Sequence, residues 1–497
     1  MELRCNKNTA VYLILMLALV ANYFIFPSLI VVQLFAGFYL TIIYKKFANN
    51  IKHMIYFTTI LFAIINFSLE IPLGSRYSIY YFYVTLFIYM ICLLYSFIKN
   101  NPKIEFEKIK NNKYLMFFIV FVVYMLASVL LAGDKKLAIK YIYNFAIMAS
   151  LLIMVILENR SKEIMNKTLR FLQYVYTGIL GLGILEIFEI RYGTRNHFVE
   201  WDPIAAQISY VKKIPVVFFY NPNNYAVFLV IGMTILFSAW LFSKDKNKKM
   251  IYLLLYFVSQ VNLIFTRSRT AWVTIFITLL FATIFYAFGK NKDKVKTKKL
   301  FALGTITMVV FVGISFIPSM QPFYGKITGS KLLGRLNIWN MEYQPSEEDE
   351  QLIQLGKKGS TNQRYTLLYD VAHGVFVEKH FLGFGPGNIE KYVEKMDNTF
   401  GVVNVHSLWF EILGDFGIPI FFYVIYIYLA MILDSIKAYY HANEELKKYL
   451  IMFASTSFGV IFLAFAPSTI MWYPTFWIVV GMTVTLAINN KKFIKYS

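Results

Sequence analysis

Charge is scarce in this chain. Only 15% of its 497 residues are Asp, Glu, Lys or Arg, while 58% are hydrophobic. A soluble protein of this length needs far more polar surface to cover its core, so a soluble globular fold is excluded. Cysteine is nearly absent: Cys5 precedes the first apolar run and Cys92 lies inside a later one. Neither a disulfide framework nor a Cys/His metal cluster fits that pair. There is no H-E-x-x-H, no self-similarity at a period of 20–50 residues, and no matched pair of broken apolar helices of the transporter kind. Acidic residues are outnumbered, 28 against 49 basic ones, for a net charge of +21. In a soluble chain that excess points to nucleic acid. Here the basic residues fall in short clusters between apolar runs, the pattern of the positive-inside rule, and no nucleic-acid partner is implied.

What remains is a succession of apolar runs long enough to cross a bilayer. The pattern predicts an all-α polytopic membrane protein with about fourteen (12–14) spans. They are placed at 9–26, 28–44, 54–70, 79–98, 114–132, 138–157, 169–188, 222–242, 249–266, 270–289, 300–317, 407–433, 448–466 and 471–489. With the N-terminus inside, the inner segments hold 30 Lys and Arg. The outer ones hold 19, nine of them in a single long loop. The bias places both termini in the cytoplasm. Arg4 and Lys7 ahead of the first run resemble a signal peptide, but no A-x-A site closes it, so it reads as an uncleaved first helix.

The chain then divides into N-terminal spans over 1–188, further spans with an outer loop at 189–221 over 189–317, a long outer loop over 318–406, and C-terminal spans over 407–497. Within the long loop, 344–361 looks like a mobile, charged insertion, and the remainder suits short helices at the membrane surface.

Polar residues concentrate at three outer places. In FTRSRTAW (265–272), Arg267 and Arg269 flank a serine at a tight turn between two spans. Their bland role is snorkelling to lipid phosphates. Two arginines on the side the positive-inside rule disfavours also suit an anion site. In NQRYTLLYDVAHGVFVEKHFLGFGPGN (362–388), the apolar period predicts a surface helix with Arg364 near its start. The GFGPG at 383–387 does not open a helix after a strand, so it reads as a turn rather than a nucleotide loop. His373 and His380 read as surface residues.

The third place is NVHSLWFEILGDFGI (404–418), a histidine and two acids at the mouth of an apolar run. On a helix His406, Phe410 and Gly417 share one face, and Glu411 and Asp415 another. Glu411 falls about 7 Å below His406, which leaves the histidine at the rim. NPNN (221–224) marks a helix start with Asn223 or Asn224 as cap and puts amides at the outer rim.

The order FYNPNNYAVFL, TRSRTAW, a long outer loop holding an Arg and FLGFGPGN, then VHSLWFEILGDFGIPIFF resembles the O-antigen ligase and polymerase superfamily of bacterial envelope glycosyltransferases. The resemblance covers roughly 215–430, with Ser407 standing where many members carry Asn. It implies a GT-C-like fold in the cytoplasmic (inner) membrane and an extracytoplasmic active site. It also implies inverting transfer, without metal or other cofactor, of a glycan from undecaprenyl pyrophosphate to an acceptor hydroxyl. The implied partners are that donor, a glycan acceptor, membrane lipids, a chain-length regulator and a flippase.

The residues suit such chemistry. Arg269 and Arg364, then Arg267, fit the pyrophosphate, because guanidinium stays charged and binds phosphate oxygens bidentately. His406 fits the base, with Glu411 to orient it, and Asn223 and Asn224 add contacts at the rim. The leading expectation is a polymerase of surface-polysaccharide repeat units (O-antigen, capsule or a teichuronic-type acid). The alternatives are a ligase to lipid A-core and, from another class, a lipid-linked oligosaccharide flippase. A flippase predicts polar residues at the midplane of several helices, whereas here the polar groups collect outside.

Overall fold

The computed structural model describes residues 7–66, 69–73, 77–100, 112–190, 192, 208–290, 292–320, 322–324, 355–357, 360–467 and 469–495. The expected insertion at 344–361 lies largely outside them, as does the middle of 189–221. The described chain is almost wholly helical. Its helices are α1 (Lys7–Ile25), α2 (Ile30–Ile42), α3 (Ile51–Ile64), α4 (Tyr81–Asn100), α5 (Lys113–Ser128), α6 (Lys135–Glu158), α7 (Lys162–Ile187), α8 (Pro222–Phe242), α9 (Lys246–Phe265), α10 (Arg269–Phe288) and α11 (Lys294–Ser315). They continue with α12 (Ser360–Ala372), α13 (Ile389–Glu394), α14 (Leu408–Tyr439), α15 (Glu444–Leu463) and α16 (Pro474–Lys495). One antiparallel hairpin, Glu70–Leu73 with Tyr77–Tyr80, joins α3 to α4.

Among the described residues, twelve helices are long and apolar enough to span a bilayer, and two more apolar helices, Ile51–Ile64 and Pro474–Ile488, are shorter. The chain is therefore a multi-pass, all-α membrane protein in which every expected span coincides with a helix. The expected span 54–70 is cut short because the chain leaves α3 for the hairpin. The expected span 471–489 starts later, at Pro474, whose fixed φ and missing N–H suit a first helical turn. At the centre stands α8, apolar on every side and buried along nearly its whole length, packed against α9, α10 and α15.

The helix that opens with the third polar stretch is α14, and it is broken. Gly417 has φ 72 and ψ −173, and Pro419 follows two residues later. Proline lacks an N–H and its ring clashes with the carbonyl four residues back, which is that of Asp415. Three helical backbone groups lose their partners, and the GFGPG loop supplies replacements. Phe384 N–H donates to the Gly414 carbonyl at 2.9 Å, Gly385 N–H to the Asp415 carbonyl at 2.9 Å, and the Ile418 N–H donates to the Phe381 carbonyl at 2.9 Å. The loop lies so close that a Cβ on Gly417 would sit 2.2 Å from the Phe381 carbonyl oxygen, and one on Gly383 2.4 Å from that of Asp415. The Asp415 carboxylate completes the strap, accepting from Gly387 N–H at 2.8 Å and Ile389 N–H at 3.0 Å. The glycine-rich run is a splint for a kinked helix.

Candidate functional site

Arg269 is the first residue of α10, with Ser268 as its cap residue. The turn before it is tight. Arg267 has φ 56, its N–H donates to the Ile264 carbonyl at 3.1 Å, and Trp272 Nε1 donates to the Leu263 carbonyl at 2.7 Å. This turn sends the two arginines to different places. The Arg267 guanidinium lies 4.6 Å over the Tyr210 ring, a cation–π stack, while Arg269 is exposed. Arg364 comes from the first half of α12, whose Leu367 and Val371 are buried against Ile389, Val393 and Val405. That small core brings the Arg364 end of α12 over the N-terminus of α14. Arg364 and Arg269 lie within electrostatic range of each other, and burial together with the Arg269 charge lowers the Arg364 pKa.

His406 stands two residues ahead of α14 in a left-handed conformation, φ 56, rare for a side chain that is not glycine. Several bonds hold it there. Ser407 Oγ caps the helix by accepting from Phe410 N–H at 3.4 Å, Leu408 N–H donates to the Ala464 carbonyl at 3.1 Å, and Trp409 Nε1 donates to the Ile461 carbonyl at 3.0 Å. Its ring bonds to the backbone of Pro467, in the loop between α15 and α16. Proline has no N–H, so the imidazole is the donor and the carbonyl the acceptor. The Nδ1 atom is buried and has no hydrogen-bond partner, which leaves Nε2 as that donor. Burial first, then the Arg364 charge, pulls the histidine pKa from 6.5 down to about 4, against the opposing pull of the Pro467 bond. At neutral pH the ring is uncharged, with a free lone pair on Nδ1.

Three sequence-predicted residues, Arg269, Arg364 and His406, thus form one electrostatic chain at one end of the bundle. The others sit elsewhere. Glu411 does not meet His406: its carboxylate accepts from Thr469 Oγ1 at 2.7 Å and Tyr141 O–H at 3.4 Å. Because Thr469 lies two residues beyond Pro467, Glu411 anchors the loop that holds the histidine. The α8 cap is Asn221, whose side chain accepts from Asn224 N–H at 3.0 Å, rather than Asn223 or Asn224. Asn223 is half-buried in the first turn. Asn224 is buried with its Oδ1 unpartnered, and its carbonyl accepts from Tyr473 O–H at 3.0 Å. Tyr210, Tyr141, Pro467 and Thr469 carry no mark of these roles in the sequence pattern. A proline and a hydroxyl residue between two apolar runs mark a turn but not what the turn holds.

Among the described residues no group of three or more His, Cys, Asp or Glu is arranged to hold a metal ion. A family model, Wzy_C, described as O-antigen ligase, matches residues 251–425, which include both arginine positions, His406 and the kink. The chain is also similar to the teichuronic acid biosynthesis protein TuaE of Bacillus subtilis (strain 168), at 21% identity over 433 residues covering 84% of this chain and 81% of that protein. These two matches support the resemblance of the chain to the O-antigen ligase and polymerase superfamily.

Proposed function

We propose that the protein is a membrane glycosyltransferase that polymerises undecaprenyl-pyrophosphate-linked repeat units of a surface polysaccharide on the outer face of the cytoplasmic membrane. The observation that carries this reading is the chain Arg269–Arg364–His406, two cations beside a neutral histidine with an unpartnered nitrogen. The arginines hold the donor pyrophosphate. The acceptor hydroxyl attacks the anomeric carbon from the opposite face and the bond to the pyrophosphate oxygen breaks. Undecaprenyl pyrophosphate leaves with the electron pair, and the hydroxyl proton passes to His406 Nδ1. No step needs a metal. Before the donor binds, the Arg364 field keeps His406 weakly basic. A bound pyrophosphate cancels that field and raises the basicity, so the base strengthens only when a donor is present. Glu411 is a positioning residue, acting through Thr469 and the loop.

The B. subtilis relative is named for teichuronic acid biosynthesis, which favours a polymer of that kind, while the family description favours a ligase. One assay separates them. Purified protein in proteoliposomes with a defined undecaprenyl-linked repeat unit as both donor and acceptor gives a ladder of products if it polymerises. If it yields nothing until a separate acceptor lipid is added, it is a ligase.

A further inference from the structure

We propose that residues 365–382 form an elbow seated in the lipid interface of the leaflet on the His406 side, with bilayer lipid as its partner. This does not depend on the reaction proposed above. The first observation is depth. The hydrocarbon is about 30 Å thick, which an unbroken helix crosses in about twenty residues. Lys437, in the last turn, marks one boundary. About twenty residues back from it, a rise of about 30 Å, the unbroken part of the helix ends, which puts the other boundary at the Gly417–Pro419 kink. The elbow is bonded at that level: the Phe381 carbonyl accepts from Ile418 N–H, and the Leu382 carbonyl accepts from Tyr124 O–H of α5 at 2.8 Å.

The second observation is a gradient of polarity. The buried face of α12 carries Leu367 and Val371, and the opposite stripe is exposed. Down that stripe the chain passes from Asn362 to Tyr365 and Tyr369, then to Phe376 and Val377, and ends in Phe381 and Leu382. Val377 is 63% and Leu382 53% exposed, large apolar side chains open to their surroundings. Tyrosine at headgroup level with Phe, Val and Leu beneath is the order of a membrane interface. The third observation is continuity. The neighbouring surfaces are apolar and exposed too, through Val123 and Leu126 of α5, Leu130 beyond it, and Phe422 of α14. The patch is thus the upper margin of the lipid-facing wall. At the bend Glu378 lies 3.5 Å from His373 and 3.9 Å from His380, and exposed Lys379, φ 64, is placed to meet lipid phosphate.

Single nitroxide labels at Val377→Cys, Leu382→Cys, Lys379→Cys and, as a water control, Lys395→Cys test this in a Cys5→Ser, Cys92→Ser background. The protein is reconstituted into phosphatidylethanolamine and phosphatidylglycerol vesicles, and power saturation is measured with oxygen and with a water-soluble nickel chelate. Collision with oxygen should dominate at 377 and 382. Collision with nickel should dominate at 395, with 379 between. Nickel dominating at 377 and 382 means water covers the elbow and overturns the proposal. Shielding of both sites from both reagents means another protein or a second copy covers it, and overturns it equally.

Discussion

The pKa of His406 is the most exposed consequence of the site geometry. Burial and the Arg364 charge bring it from 6.5 to about 4, the Pro467 bond pulling the other way. Burial survives the substitution Arg364→Gln, and the charge does not. Of the two effects that lower it, the charge is the smaller, so the variant should titrate above the wild type without returning to 6.5. The sign follows from the cation: removing a positive neighbour stabilises the imidazolium, so the ring stays protonated to higher pH.

Exchange of the histidine C2 hydrogen for deuterium, followed by mass spectrometry of the peptide holding His406, reads this directly, because its rate levels off above the ring pKa. At pH 5 the wild-type rate should stand at about nine-tenths of its plateau and the variant at a clearly smaller fraction. A wild-type midpoint near 6.5, unmoved by the substitution, would refute both the burial of the ring and its coupling to Arg364.

Three further outcomes follow from the same geometry. Gly417→Ala places a Cβ 2.2 Å from the Phe381 carbonyl oxygen at a φ of 72 and should cost at least about 2 kcal/mol. A melting temperature equal to wild type in detergent would contradict the splint. Arg267→Ala removes the stack on Tyr210, worth about 1 kcal/mol, and should lower thermal stability while leaving polymer length intact in a complementation assay. Complete loss of polymer at normal expression would return Arg267 to the reacting site. Activity in membranes should persist in EDTA, and a loss restored by Mg²⁺ would sink the metal-free route.

The membrane fold was legible because bilayer thickness imposes one length on every span, and composition alone reports that length. Arg269, Arg364 and His406 stand out as candidates for a related reason: charged or titratable groups at a span mouth are costly enough to be conspicuous against apolar neighbours. Their proximity was not legible, because it depends on the small core of Leu367, Val371, Ile389, Val393 and Val405 folding α12 over α14, across more than forty residues of loop. The GFGPG loop shows a different limit. Its glycines signalled a turn, but the turn exists to satisfy backbone groups freed by Pro419, more than thirty residues later. Glu411 and Asp415 stand out because they sit in an apolar run, and Glu411 reads as the residue that orients His406. In the structure they hold loops, Glu411 through Thr469 and Asp415 through Gly387 and Ile389. Helix periodicity places side chains on faces but does not say which loop returns to meet them.

Joint action of His406, Arg269 and Arg364 on a lipid-linked glycan is the property to measure. Purified wild type and the variants His406→Ala, Arg269→Ala and Arg364→Ala, each folded by size-exclusion profile and supplied with the same defined undecaprenyl-linked repeat unit, measure it. The wild type should yield transfer products and none of the three variants should. Normal product from all three variants would contradict that joint action.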